Sequence, residues 1–150
     1  MKKLIIYFSL SNNTKKAAEK IQEITDADIV RLQPVTSYPE GYSNYVPVAQ
    51  KEFEDQIHPA LKTEIPDLAN YDTIYLGYPT WNGKMPMLFH TLFEKYDFSE
   101  KTVVPFITSG SSSVAESMPD VRKVAANSKV TEGFRYDNND TQLKAFLSDK

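Results

Sequence analysis

The sequence predicts an α/β fold: a doubly wound, five-stranded parallel sheet with helices on both faces, built as a single domain over residues 1–150. Three observations carry this expectation. Short apolar runs alternate with amphipathic helical patterns along the whole chain. Most of the runs are near-continuous, as suits parallel strands covered on both faces. The loops after the first, third and fourth runs are rich in hydroxyl, amide and glycine residues. In sheets of this kind, ligands bind outside the carboxyl ends of the strands, where strand order reverses.

The first strand is expected at Lys3–Phe8, around Leu4-Ile5-Ile6-Tyr7-Phe8. A helix over Asn13–Thr25 follows, with Ala17, Ala18, Ile21 and Ile24 on one face. The second strand spans Asp28–Leu32. Pro34, Pro39, Pro47, Pro59 and Pro66 then break up residues 34–70, leaving a helix near Val48–Gln56 between loops. The third strand is Thr73–Tyr78. The helix after it, Pro86–Tyr96, sets Leu88, Leu92 and Tyr96 in one row and Phe89 and Phe93 in the next. The fourth strand, Val103–Thr108, contains Pro105, which removes one ladder donor. That predicts a local gap, with a fifth strand too short to pair there. A helix beginning near Pro119 suits proline's preference for the first helical turn, and it carries Val121 and Val124–Ala125. A short fifth strand at Lys129–Thr131 and a last helix at Thr141–Leu147 close the chain.

Composition excludes several function classes. Lys and Arg total 17 against 20 Asp and Glu, so no basic excess points to nucleic acid or an anionic membrane. The absence of cysteine removes disulfides, thiolate metal sites and cysteine nucleophiles. His58 and His90 have no metal-type pattern around them; His58 reads as surface and His90 as helix packing or a solvated face. Glu52, Glu54 and Asp55 read as a wet helix face. Met1-Lys2-Lys3 leads into an apolar run too short for a signal peptide or a membrane span, so a cytoplasmic protein is expected.

The first loop is Ser9-Leu10-Ser11-Asn12-Asn13-Thr14. It lacks both the Gly-x-x-x-x-Gly-Lys pattern of nucleotide triphosphatases and the Gly-x-Gly-x-x-Gly of dinucleotide sites. Ser11, Asn12, Asn13 and Thr14, with Ser9 before them, supply more polar donors than an ordinary N-cap needs. At a helix start, with its unpaired amides, they suit one phosphate monoester. Lys15 and Lys16 read as a solvated first turn. The second loop holds Pro79, Thr80, Trp81, Asn82 and Gly83, and Trp81 is the only tryptophan. An aromatic residue in a turn suits contact with a flat ring, and Gly83 lets the backbone approach closely. The third loop is Thr108-Ser109-Gly110-Ser111-Ser112-Ser113, whose donors can wrap a polar ring edge. One phosphate plus one planar heteroaromatic ring describes flavin mononucleotide, FMN.

On these residues the chain resembles the flavodoxins. Ser9-x-Ser-Asn-Asn-Thr14 is similar to that family's phosphate loop. Tyr78-Pro79-x-Trp81-x-Gly83-x-x-Pro86 and Pro105-Phe106-x-Thr108-x-Gly110 resemble the branch with a Tyr-Pro-Ile-Trp-Trp-Gly motif. The resemblance implies strand order 2-1-3-4-5, one non-covalent FMN and no metal. It also implies that Ser9, Ser11, Asn13 and Thr14, with loop amides, hold the phosphate, while residues 79–83 and 108–111 hold the ring. Three departures stand out: Asn82 replaces the second aromatic, the last helix is short, and the net charge of −3 is mild.

In such a protein the flavin carries the chemistry and the chain tunes it. The Asn82–Gly83 peptide is a candidate to meet the ring's N5–H and stabilise the one-electron-reduced state. An uncharged, apolar site would disfavour the anionic two-electron-reduced ring. Lys84 reads as solvent-facing, and Tyr38, Tyr42 and Tyr45 as candidates to flank the ring. The expected function is electron transfer between a reductase and an acceptor enzyme, by a monomer. The alternative is a small FMN-dependent NAD(P)H reductase of quinones, for which the chain length suggests no room for a nicotinamide pocket. A flavin-free binding module is a third reading. A phospho-receiver domain is excluded, because its acidic residues have no counterpart at Ser9–Asn12 or Pro79–Trp81.

Overall fold

The structure is a computed structural model that describes residues 2–109, 112–148 and 150. Its strands are β1 (Lys2–Tyr7), β2 (Asp28–Arg31), β3 (Tyr71–Pro79), β4 (Thr102–Thr108), β5 (Lys129–Val130) and β6 (Phe134–Arg135). The helices are α1 (Asn13–Thr25), α2 (Tyr42–Asp55), α3 (Leu88–Lys95), α4 (Val114–Val124) and α5 (Asp140–Leu147). The strands form one sheet in the order β2-β1-β3-β4-β5, with β6 also paired to β4. All the strand pairs described within it are parallel. The chain leaves β1 toward β2 and then crosses back to β3, so the crevice favoured by ligands opens at the ends of β1 and β3.

Strand pleating divides the core between two faces. Ile5, Tyr7, Tyr75, Val104 and Phe106 pack against Ala17, Ala18 and Ile21 of α1 and Leu143 and Leu147 of α5. Leu4, Ile6, Ile74, Leu76, Val103 and Ile107 face Ala49 of α2, Leu88 and Leu92 of α3, and Val121 of α4. Residues buried on alternating sides explain why the strands read as unbroken apolar runs. No helix among the described residues is long and apolar enough to cross a membrane.

The gap expected at Pro105 is present. Pro105 keeps its register with Leu76 of β3. On the other side, β5 pairs only Thr102 and Val103, and β6 pairs only Phe106 and Ile107. The fifth sheet position is therefore occupied by two short strands, where the sequence indicated only Lys129–Thr131.

Two helix starts differ from expectation. Helix α2 begins at Tyr42, with Pro47 inside it, and α4 begins at Val114, with Pro119 inside it. Each proline costs one bond to the carbonyl four residues earlier. Those carbonyls belong to Ser43 and Ala115, both exposed, so water replaces the missing donor.

Candidate functional site

Loops at the carboxyl ends of β1, β3, β4 and β6 meet around one cleft of about 570 Å³. At one end stands the start of α1. Its N-cap, Asn12, has a left-handed backbone with φ 68° and makes no side-chain cap bond, and the first turn carries no acid. The first main-chain bond runs from Lys16 N–H to the Asn12 carbonyl at 3.0 Å. The turn's earlier amides therefore have no intrahelical acceptor, and they concentrate partial positive charge on the cleft.

Hydrogen bonds fix the loops to one another. The hydroxyls of Thr14 and Thr108 lie 2.7 Å apart, in a buried bond between loops 94 residues apart. Thr80 N–H donates to the Thr108 carbonyl at 3.1 Å. Arg31 donates to the Ser9 carbonyl at 2.8 Å. Among the described residues, three buried side-chain hydroxyls have no hydrogen-bond partner: Ser9, Tyr75 and Thr80. Ser9 and Thr80 belong to the loops of this cleft. Thr80 lines the cleft and Ser9 lies behind its first loop; buried polar groups are normally paired, so the orphan Thr80 hydroxyl points to a ligand.

The other end is aromatic. Trp81 N–H bonds the Lys84 carbonyl at 2.9 Å, and Lys84 N–H bonds the Trp81 carbonyl at 3.0 Å. Between them, Asn82 and Gly83 both have positive φ, 53° and 76°, as a two-residue type I′ turn requires. A Cβ on Gly83 would strike the Glu116 carboxylate. Trp81 is only 8% exposed. Its ring meets Phe8 edge-on at 5.6 Å and Tyr38 at 5.1 Å, and lies at a tilt to Tyr45 at 5.6 Å. Behind this nest, the Tyr38 hydroxyl donates to Glu52 Oε1 at 2.6 Å. Glu52 is 9% exposed, so it is not part of a wet helix face as its sequence suggested. Burial pushes its carboxyl pKa up, partly opposed by the Tyr38 bond. Burial, and then the Glu52 contact, push the Tyr38 pKa up.

A family model for flavodoxins matches residues 2–149. The chain belongs to the flavodoxin family. Among solved structures it is similar to a protein of Bacteroides eggerthii described as a flavoprotein, with 30% identity and a TM-score of 0.90, over 98% of this chain and 96% of that one. It is also similar to a Lactobacillus acidophilus flavoprotein solved in complex with FMN, with 25% identity and a TM-score of 0.81, over 96% and 98% of the two chains. The apo form of a flavoprotein from that organism matches at 28% identity and a TM-score of 0.71, over 91% and 93%. No curated protein matches the chain in sequence.

In this flavodoxin, Ser11, Asn13, Pro79, Thr80, Trp81, Thr108 and Ser109 line the cleft, together with Tyr42 and Tyr45. Ser9 and Thr14 are buried behind the loop, and Asn12 is exposed at the helix start. Asn82 lines a neighbouring groove with Tyr42, Tyr45, Phe53 and Ser112. Gly83 lies beneath Glu116 and is not brought to the cleft lining. Gly110 and Ser111 lie outside the described residues. Lys84 Nζ sits 5.6 Å from the centre of the Phe53 ring. His58 and His90 stack at 4.8 Å, with His58 Nδ1 2.8 Å from Glu94, and neither lines the cleft.

Lys16, expected in solvent, also lines the cleft, and so do Arg135, Tyr136, Asp137 and Asn138. The last four carry no periodic signal in the sequence, because β6 is only two residues long. Phe134 and Tyr136, two aromatics just beyond Gly133, were the available signal. Arg135 Nε donates to the Ser109 hydroxyl at 2.8 Å, and its Nη2 to the Ser109 carbonyl at 3.0 Å.

Proposed function

We propose that this flavodoxin binds one FMN non-covalently in the cleft and carries electrons between a reductase and an acceptor enzyme. The observation that carries the reading is the uncapped start of α1 and the buried Thr80 hydroxyl, without a partner among the described residues, on one cleft walled at its far end by Trp81. That donor set fits a phosphate at one end and a flat ring at the other. The FMN complex of the Lactobacillus acidophilus flavoprotein supports the same ligand. Bound FMN would supply the redox chemistry. In this reading Ser9, Ser11, Asn13 and Thr14, with the α1 amides, hold the phosphate, while Thr80, Trp81, Thr108 and Ser109 orient the ring. The aromatic nest behind Trp81 keeps water from that wall.

A second reading, reduction of small acceptors with NAD(P)H, gains support from the groove that holds Asn82. It has a volume of about 560 Å³ and shares Tyr42, Tyr45, Thr80 and Trp81 with the cleft. The chain therefore offers space beside the ring site that its length did not suggest.

Titration of the chain with FMN tests binding, because the single tryptophan isolates the Trp81 signal. Saturable quenching at one FMN per chain is expected; unchanged Trp81 fluorescence rejects the flavin reading. Mixing the loaded protein with NADPH and a quinone then separates the two functions, since steady NADPH oxidation favours the reductase and its absence the carrier.

A further inference from the structure

Arg135 lies at the end of β6, whose pairing with Ile107 of β4 fixes its backbone on the sheet. Its guanidinium is held on Ser109 by two hydrogen bonds, one to the hydroxyl and one to the carbonyl. Ser109 in turn donates to the Ser112 carbonyl at 2.6 Å. The third loop is thereby braced on a guanidinium cation. The chain as a whole is acidic, at −3. The described charged residues lining the cleft nevertheless are Lys16 and Arg135 against the one carboxylate of Asp137. Lys16 belongs to α1, at the phosphate end. Arg135, at the end of β6, is bonded to Ser109 of the loop assigned to the ring.

We propose that Arg135 stabilises negative charge on the reduced flavin ring, so that the site binds reduced FMN more tightly than an uncharged site would. The inference rests on the FMN reading above. A flavin ring that takes up two electrons and one proton carries one negative charge, and a fixed cation beside it offsets that charge. This reverses the expectation from sequence that the ring sits in uncharged, apolar surroundings. It favours two-electron use of the site over service as a strongly reducing one-electron carrier.

The test measures dissociation constants for oxidised FMN, dithionite-reduced FMN and riboflavin on the wild-type chain, Arg135→Gln and Arg135→Lys. Glutamine keeps a donor for Ser109 and loses the charge; lysine keeps the charge. Circular dichroism confirms that each variant folds. In Arg135→Gln, the affinity for reduced FMN should fall about tenfold more than that for oxidised FMN, equivalent to about 30 mV on the two-electron couple. In Arg135→Lys the ratio should stay within about twofold of wild type. An equal loss for both redox forms, with a lost preference for FMN over riboflavin, would make Arg135 a phosphate ligand and overturn the proposal. An unchanged ratio in Arg135→Gln, or the same change in Arg135→Lys, would reduce it to a loop brace and overturn it too. Absence of FMN binding by the wild-type chain would overturn the underlying reading and this inference with it.

Discussion

The buried bond between Thr14 and Thr108 offers a sharp test of how the site is assembled. It joins the start of α1 to the end of β4, and the two residues are 1% and 7% exposed. Replacing Thr14 with valine keeps the shape and removes the hydroxyl. The change gives up one hydrogen bond and leaves the Thr108 hydroxyl buried without a partner, a combined cost of about 1–3 kcal/mol. Thr108→Val should cost about the same by the converse argument. The main-chain bond from Thr80 to the Thr108 carbonyl survives either change. For a chain of this length, each kcal/mol lowers the melting temperature by about 2–4 °C, so each single variant should melt about 2–12 °C lower. The double variant should behave differently, because removing both hydroxyls leaves no orphan and is nearly neutral. The two substitutions should therefore be coupled by about the sum of the two single losses, about 2–6 kcal/mol, rather than additive. Urea and thermal unfolding of the FMN-free protein, followed by circular dichroism, measure this directly. A double variant whose loss equals the sum of the two singles would refute the claim that this bond ties the phosphate loop to the ring loop.

Two further predictions use buried polar groups around the cleft. Ser9→Ala removes a hydroxyl that has no partner among the described residues, so the FMN-free stability should hold or rise slightly. FMN affinity should fall about 10- to 150-fold, the equivalent of a lost hydrogen bond to a charged group; lower stability with unchanged affinity would mark the hydroxyl as structural. Glu52 tests the nest behind Trp81 through pH. Its folded pKa is raised by burial, so the folded chain keeps a proton that the unfolded chain has already lost. Its contribution to stability is present below the unfolded value of 4.5 and is lost as pH rises through the higher folded value. Glu52→Gln, whose amide oxygen still accepts from Tyr38, should flatten that decline. Unfolding curves for the two proteins that stay parallel across the acid range would reject the buried-carboxyl account.

The sequence by itself determined what depends on near neighbours. Helix α1 occupies Asn13–Thr25 in sequence and structure alike, because an apolar face repeats there at helical spacing and no proline interrupts it. The Asn82-Gly83 turn was equally legible, since few other residue pairs accept positive φ twice in succession. The gap beside Pro105 followed from one missing donor. Where local signals compete, they misled. Pro47 and Pro119 looked like boundaries, yet the helices run through them because the bonds they lose face water.

Other properties arise only when distant segments meet. Glu52 looked solvated until Tyr38, 14 residues away, gave it a buried partner. The stacking of His58 on His90 has no trace in the residues around either. Arg135 entered the cleft because a two-residue strand, too short to show a period, pairs with β4 and delivers it to Ser109. Hydrophobic period and turn chemistry are short-range and can be read along a chain. The charge and burial of a site depend on which segments the sheet brings side by side, so only the tertiary structure decided them.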